Sequence, residues 1–276
     1  MLKNSPIGVF DSGYGGLTVL KEIRKRLPEY DFIYLGDNAR APYGNRSYDL
    51  IYDFTLEAVN FLFSKGSPLV IIACNTASAK ALRSIQQNDL PRISTDKRVL
   101  GVIRPSTEEI GALTQTKHVG ILGTTGTIQS GSYEIELRKF APEIIVNQHA
   151  CPMWVPLIEN NRHNSIAGKI FIEEDVKALM DKDSKIDTII LACTHYPVVK
   201  TQIEELLGKD IKVISQGPIV ANKLVDYLNR HPEMENRFSK NGTIRYFTTE
   251  NKMVFDQKAS QFLNEEICAE HVVLNY

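Results

Sequence analysis

The sequence predicts an α/β protein of two pseudo-symmetric domains, each built on a mostly parallel sheet flanked by helices. Three observations lead there. Short apolar runs rich in β-branched residues alternate with longer amphipathic stretches, the pattern of strands buried on both faces and joined by crossover helices. An imperfect internal repeat sets "LVIIACNT" at 69–76 against "TIILACTH" at 188–195. The chain has 276 residues, 43% hydrophobic and 24% charged, which permits either one large core or two smaller ones.

The strands are expected at "PIGVF" (6–10), "DFIYLGD" (31–37), "PLVIIAC" (68–74), "VLGVI" (99–103), "KHVGILGT" (117–124), "IIVNQ" (144–148), "DTIILAC" (187–193) and "IKVIS" (211–215). Between them, segments 15–27, 48–63, 76–87, 106–115, 131–141, 167–182 and 197–208 carry apolar residues at the i, i+3, i+4 spacing of helices. The break between halves is faint, because no Pro/Gly/Ser-rich linker occurs. Its best candidate is the polar "RISTDKR" at 92–98, followed by "GVIRPS". This places a first α/β domain at 1–103 and a second at 104–214. The remaining segment, 215–276, holds a helix (218–231), a strand (243–250) and a second helix (252–266), too little for a third domain, and is expected to return to the first.

Composition narrows the function. Formal net charge is -1, from 32 Lys+Arg against 33 Asp+Glu, and neither sign forms a long block, so the basic footprint of a nucleic-acid binder is missing. A small-molecule partner is the better expectation. The opening "MLKNSPIGVFDSG" reaches Asp11 too soon for a signal-peptide apolar region, and no apolar stretch approaches the roughly 18 residues of a membrane span, so a cytoplasmic protein is expected. Four cysteines without a C-x-x-C pair read as reduced thiols rather than a disulfide framework.

Cys74 and Cys193 each end a strand just before a helix, the edge at which open parallel sheets place their ligands. A thiol there meets the positive end of the helix dipole and unpaired N–H groups, which favour thiolate and hence a base or nucleophile. Buried cysteines most often only fill space, but the shared position of these two is harder to dismiss. Cys151 and Cys268 lack the repeated context and read as packing residues. A third strand end carries "FDSGYGG", where Asp11 and Ser12 lead into Gly13, Gly15 and Gly16. Such a turn brings backbone N–H groups close to a small carboxylate or ammonium group, or is simply a tight turn with Asp11 as helix cap. It does not match the G-x-G-x-x-G or G-K-[ST] nucleotide patterns. "LGDNARAPYGNRS" brings Asp37, Tyr43 and Gly44 to the same rim, and "GTTGT" brings hydroxyls, with a helix cap by Thr127 as the plainer alternative. His195 could orient or reprotonate a neighbour. No third donor completes a metal site around Cys193 and His195, so no metal is expected. Two thiols across a small anionic ligand suggest proton removal from one face and delivery to the other.

In this order, "FDSGYGGLTVL", "YLGDNARAPYG", "IIACNTASA", "GTTGTI" and "LACTHYP" resemble the cofactor-independent aspartate/glutamate racemase superfamily, and within it the glutamate racemases. The resemblance implies two domains that clamp the substrate in the cleft between them, no cofactor, and interconversion of L- and D-glutamate, with D-glutamate supplied to peptidoglycan synthesis. It makes Cys74 and Cys193 the acid/base thiols, with Cys74 acting on D-glutamate and Cys193 on L-glutamate. It assigns Asp11, Ser12, Tyr43, Gly44, Asn75, Thr76, Thr194 and His195 to the amino acid, adds Thr124 and Thr127 as hydroxyls around it, and gives Asp37, His195 and Glu159 assisting roles. Family members are often homodimers. Arg104 and Ser106 depart from the acidic residue and glycine that many relatives hold there, which bears on the hinge and its regulation. An aspartate racemase of the same superfamily, or a binding or regulatory relative without turnover, are the alternative readings.

Overall fold

In a computed structural model of the chain, residues 4–274 are described, and their strands form two separate sheets. The first has the order β10-β9-β2-β1-β3-β4, built from β1 (Ile7–Asp11), β2 (Phe32–Gly36), β3 (Leu69–Ile72), β4 (Arg98–Gly101), β9 (Ile244–Thr248) and β10 (Ala269–His271). The second has the order β6-β5-β7-β8, from β5 (His118–Gly123), β6 (Ile145–Ala150), β7 (Thr188–Ala192) and β8 (Lys212–Ser215). Every ladder between these strands is parallel. The sub-orders 2-1-3-4 and 6-5-7-8 repeat one winding, which is the pseudo-symmetry that the repeated "AC" units suggest.

The strands read as near-continuous apolar runs because both faces of each sheet are covered. In β1, Ile7 and Val9 face one way into a core shared with Leu17, Leu20 and Leu224, while Phe10 faces the other, beside Val59 and Leu62 of helix Tyr48–Ser64. In the second sheet, Ile189 and Leu191 pack with Ile172, Val176 and Leu179 of helix Ile166–Met180, and Ile190 packs with Ile110, Tyr133 and Leu137 on the opposite face.

Several boundaries differ from those the sequence predicts. The segment 76–87 is not one continuous helix: Asn75–Lys80 is followed by Leu82–Ser84, a π segment Ile85–Asp89 and Leu90–Ile93. Pro91 has no N–H to continue the i→i−4 ladder, and the widened turn lies just before it. Helix Ile103–Leu113 starts ahead of the predicted 106, because Pro105 fits within a first turn, where no donor is needed. Strand β10 and helix Trp154–Glu159 have no predicted counterpart. Cys268, which the sequence suggests as a packing residue, is exposed. Among the described residues no helix is long and apolar enough to cross a membrane.

Candidate active site

Parallel register aligns the carboxyl ends of the strands, and with them the loops that leave those ends. Asp11 pairs with Gly36 and Phe10 with Ile72, bringing the loops that start at Ser12, Asp37 and Ala73 to one rim. In the second sheet Gly123 pairs with both Ala150 and Ala192, bringing Thr124, Cys151 and Cys193 to the corresponding rim. The winding reverses at β1 and β3 in one sheet and at β5 and β7 in the other, and ligands bind at such switch points. The two rims face each other across one cleft, lined by residues of both, including Ser12, Tyr43, Cys74, Asn75, Thr76, Thr124, Glu159, Cys193, Thr194 and His195.

Cys74 caps helix Asn75–Lys80: its sulfur accepts from the Ala77 N–H at 3.4 Å, and Ser12 Oγ lies 3.3 Å away. Burial nonetheless dominates, and with the nearby Asp11 carboxylate it pushes the Cys74 thiol up to about 12. Cys193 is held differently. It is followed by a turn and a short 3-10 helix, Tyr196–Val199, and the α-helix expected over 197–208 begins only at Lys200. Its partner is an imidazole: His195 Nδ1 lies 3.9 Å from the sulfur, and His195 Nε2 lies 2.9 Å from Glu159 Oε1. Burial opposes charge on His195, but the sulfur and carboxylate prevail and raise its pKa to about 10. Burial likewise opposes charge on Glu159, and the bond to His195 wins, holding the carboxyl below its ordinary value. His195 is thus arranged to hold a proton between the Cys193 sulfur and the Glu159 carboxylate, while Cys74 keeps its own.

The other expected residues fall into two layers. Ser12, Tyr43, Gly44, Asn75, Thr76, Thr124 and Thr194 line the cleft, whereas Asp11, Asp37 and Thr127 stand behind it. Asp11 is fully buried, accepts from Gly13 N–H at 2.9 Å and from the Thr194 hydroxyl at 3.3 Å, and so ties the first rim to the second. Burial raises its pKa, against the pull of His195. Asp37 accepts from the Tyr43 hydroxyl and from Arg40 Nε, and thereby fixes the phenol that reaches the cleft. Thr124, not Thr127, caps its helix. Its Oγ1 accepts from Thr127 N–H at 3.3 Å and meets Thr76 Oγ1 of the opposite rim at 2.9 Å. Gly126 N–H donates to Gly44 carbonyl at 2.8 Å, a second clasp between rims.

Sequence reasoning misses Ala41, Pro42, Asn45, Pro152, Val155 and Pro156, while Cys151, expected as a packing residue, is buried in the second sheet's core and also borders the cleft. Asn45 in "APYGN" and Pro152 in "ACPMW" sit beside residues that do stand out, which is the only signal they carry. Ser106 is buried, and its hydroxyl donates to the Val102 carbonyl at 2.9 Å, while Arg104 is exposed beside Glu108.

Among the described residues no lysine or arginine lines the cleft, and apart from His195 its polar surface consists of hydroxyls, amides, thiols and Glu159. Two thiols on opposite rims, one paired with an imidazole and one protonated, define a site for moving a proton across a small ligand. Residues 7–224 match the Asp/Glu/Hydantoin racemase family model. A glutamate racemase of Streptococcus suis is 38% identical over 274 residues, covering 99% of this chain and 100% of its own. Among solved structures, a glutamate racemase of Bacillus anthracis superposes with a TM-score of 0.90 at 34% identity, covering 99% of both chains. One from Francisella tularensis, in complex with D-glutamate, superposes with 0.87 at 34% identity and the same coverage. The chain belongs to the Asp/Glu/Hydantoin racemase family, and is an isomerase.

Proposed function

We propose that the chain interconverts L-glutamate and D-glutamate by proton transfer between Cys193 and Cys74, without a cofactor, and that it supplies D-glutamate to peptidoglycan synthesis in the cytoplasm. The observation that carries this reading is the placement of two buried thiols at corresponding strand ends on opposite sides of one cleft.

For L-glutamate, the Cys193 thiolate takes the α-proton, and the C–H electron pair moves toward the α-carboxylate as the carbanion forms. Backbone N–H groups and the hydroxyls of Ser12, Thr76, Thr124 and Thr194 offer hydrogen bonds to that growing charge. His195 and Glu159 hold the thiolate beforehand. The Cys74 thiol then gives its proton to the opposite face, and D-glutamate leaves with Cys74 as thiolate and Cys193 as thiol. The reverse reaction starts from that state. The high Cys74 pKa makes the thiol a reluctant acid toward water, but a carbanion is a far stronger base than a thiolate, so delivery is downhill. A cleft wall without lysine or arginine among the described residues fits recognition of carboxylates by neutral donors.

Domain limits of 1–103 and 104–214, with 215–276 returning to the first domain, are part of this reading, and β9 beside β2, with β10 beside β9, supports the last of them. So is assembly as a homodimer, which sedimentation would test. The central experiment is loss of circular dichroism on incubation with L-glutamate. Decay to a racemic end point with glutamate, and much slower decay with L-aspartate, is expected. No decay with glutamate would overturn the assignment.

A further inference from the structure

Behind the cleft floor runs a fully buried chain of hydrogen bonds that the proton transfer itself does not use. Gln216 is the first residue of helix Gln216–Arg230, directly after β8, and its side chain reaches three elements. Its Nε2 lies 3.2 Å from the Val102 carbonyl, 2.8 Å from Ser106 Oγ and 2.7 Å from Tyr133 OH, and its Oε1 lies 2.7 Å from Asn75 Nδ2. The Tyr133 hydroxyl lies in turn 2.7 Å from Asn75 Oδ1. Gln216, Ser106, Tyr133, Val102 and Asn75 are all buried.

The direction of every proton is set by one atom. The Val102 carbonyl can only accept, so Gln216 must turn its NH2 toward it and its oxygen toward Asn75. Asn75 must then present its NH2 to Gln216 and its oxygen to Tyr133, whose hydroxyl donates. Both ends of the Asn75 carboxamide are thereby assigned, in a residue that directly follows Cys74 and lines the cleft. A reversed carboxamide would offer a carbonyl oxygen to an anionic ligand instead.

We propose that Gln216 is a positioning residue: through Tyr133 and directly, it holds the Asn75 carboxamide with N–H rather than oxygen toward a substrate carboxylate. The inference rests on the reading of the cleft as a carboxylate-binding racemase site. It adds that the orientation of an amide on one rim is dictated by the residue that directly follows the other sheet's edge strand β8.

The test compares alkylation of Cys74 by iodoacetate, which carries a carboxylate, with alkylation by iodoacetamide, which does not. The rates are followed by peptide mass spectrometry in the full chain, alongside glutamate racemisation. A general loosening of the fold changes both reagents alike, so their ratio isolates carboxylate recognition. In Gln216→Met and in Tyr133→Phe the iodoacetate-to-iodoacetamide ratio should fall about tenfold, the scale of one buried hydrogen bond, with a matching rise in KM for glutamate. Neither change should have further effect once Asn75→Ala is present. An unchanged ratio, or an effect that persists in the Asn75→Ala background, overturns the proposal. Should Gln216→Met fail to fold, Tyr133→Phe, which removes a single oxygen, carries the same test. If the unmodified chain shows no glutamate turnover while the ratio behaves as expected, the substrate assignment fails and the positioning role stands.

Discussion

Cys193 Sγ lies 3.9 Å from His195 Nδ1, and the far nitrogen of the same ring lies 2.9 Å from Glu159 Oε1. This line of sulfur, imidazole and carboxylate has no counterpart at Cys74, which relies on Ser12 and a helix N–H. The two thiols are equivalent by topology and unequal by chemistry.

The first prediction rests on that inequality. His195→Asn removes the imidazole beside the Cys193 sulfur and should lower kcat by about 10²-fold or more, with a smaller rise in KM. Glu159→Gln keeps the ring in place but weakens its charge, and should cost about tenfold in kcat. Steady-state kinetics in both directions checks this. An effect confined to KM would reassign both residues to ground-state binding.

Stability should depend on pH in the same place. The His195 pKa rises from 6.5 to about 10 on folding, so between those values the native state holds a proton that the unfolded chain has lost. That stabilisation is complete below about pH 6.5 and disappears as pH climbs to about 10. The thermal midpoint should therefore decline across that window, and decline less in Glu159→Gln. An equal slope in the two proteins would remove His195 from the account.

Isotope exchange tests the two-sided geometry. In D2O the product enantiomer should gain deuterium at its α-carbon, because the delivering thiol has exchanged with solvent while the abstracted proton stays on the other sulfur. Cys74→Ala and Cys193→Ala should each abolish racemisation, since acid–base groups are worth about 10²–10⁴-fold and one face is left without any. Cys268→Ala, at an exposed thiol, should leave both rate and stability unchanged. Near-normal turnover by either active-site variant would sink the mechanism.

Glycine at position 15 is required by closeness rather than by an unusual backbone angle. A Cβ there would come within 2.3 Å of Thr194 Oγ1 and 2.5 Å of His195 Nδ1, so Gly15→Ala must push the second rim away. It should reduce kcat/KM by about 10²-fold, the scale of a misplacement of about 1 Å at the reacting groups. Gly111→Ala, in an exposed helical position whose nearest neighbour is 3.6 Å away, should instead raise the thermal midpoint, by a helix-propensity gain of up to about 1 kcal/mol. Activity assays and thermal melts on the two variants separate the cases.

Much of the fold is legible in the sequence because strands covered on both faces cannot hide their apolar runs. β1 through β9 all fall on segments that read as strands, and the thiols stand out because a polar turn interrupts two such runs at the same point. What stays hidden has physical reasons. β10 is three residues long and sets a buried alanine beside exposed neighbours, so it has no run to see. Helix Trp154–Glu159 is only six residues long, too short to show the apolar spacing of a helix. Asp11 and Asp37 are recognisable as members of the rim, but no sequence pattern tells a carboxylate that faces a cleft from one that braces the residue facing it. Gln216 belongs to a helix legible from "PIVANKLVDY", just ahead of the apolar pattern, and its partners lie in three segments remote from it in the chain.

The placement of β9 beside β2 governs how the molecule can be made. Phe32 pairs with Ile244, so the middle of the first sheet waits for a partner that leaves the ribosome only after nearly the whole remaining chain has been translated. The second sheet, drawn from one continuous stretch between His118 and Ser215, has no such wait and can assemble while synthesis proceeds. Until the tail arrives, β2 exposes an open row of backbone donors and acceptors flanked by apolar side chains, the kind of edge that recruits other chains. A sheet whose central pairing spans 212 residues of chain thus stays open-edged for longer during synthesis than one drawn from a single stretch, and its exposed edge is where association with other chains would start.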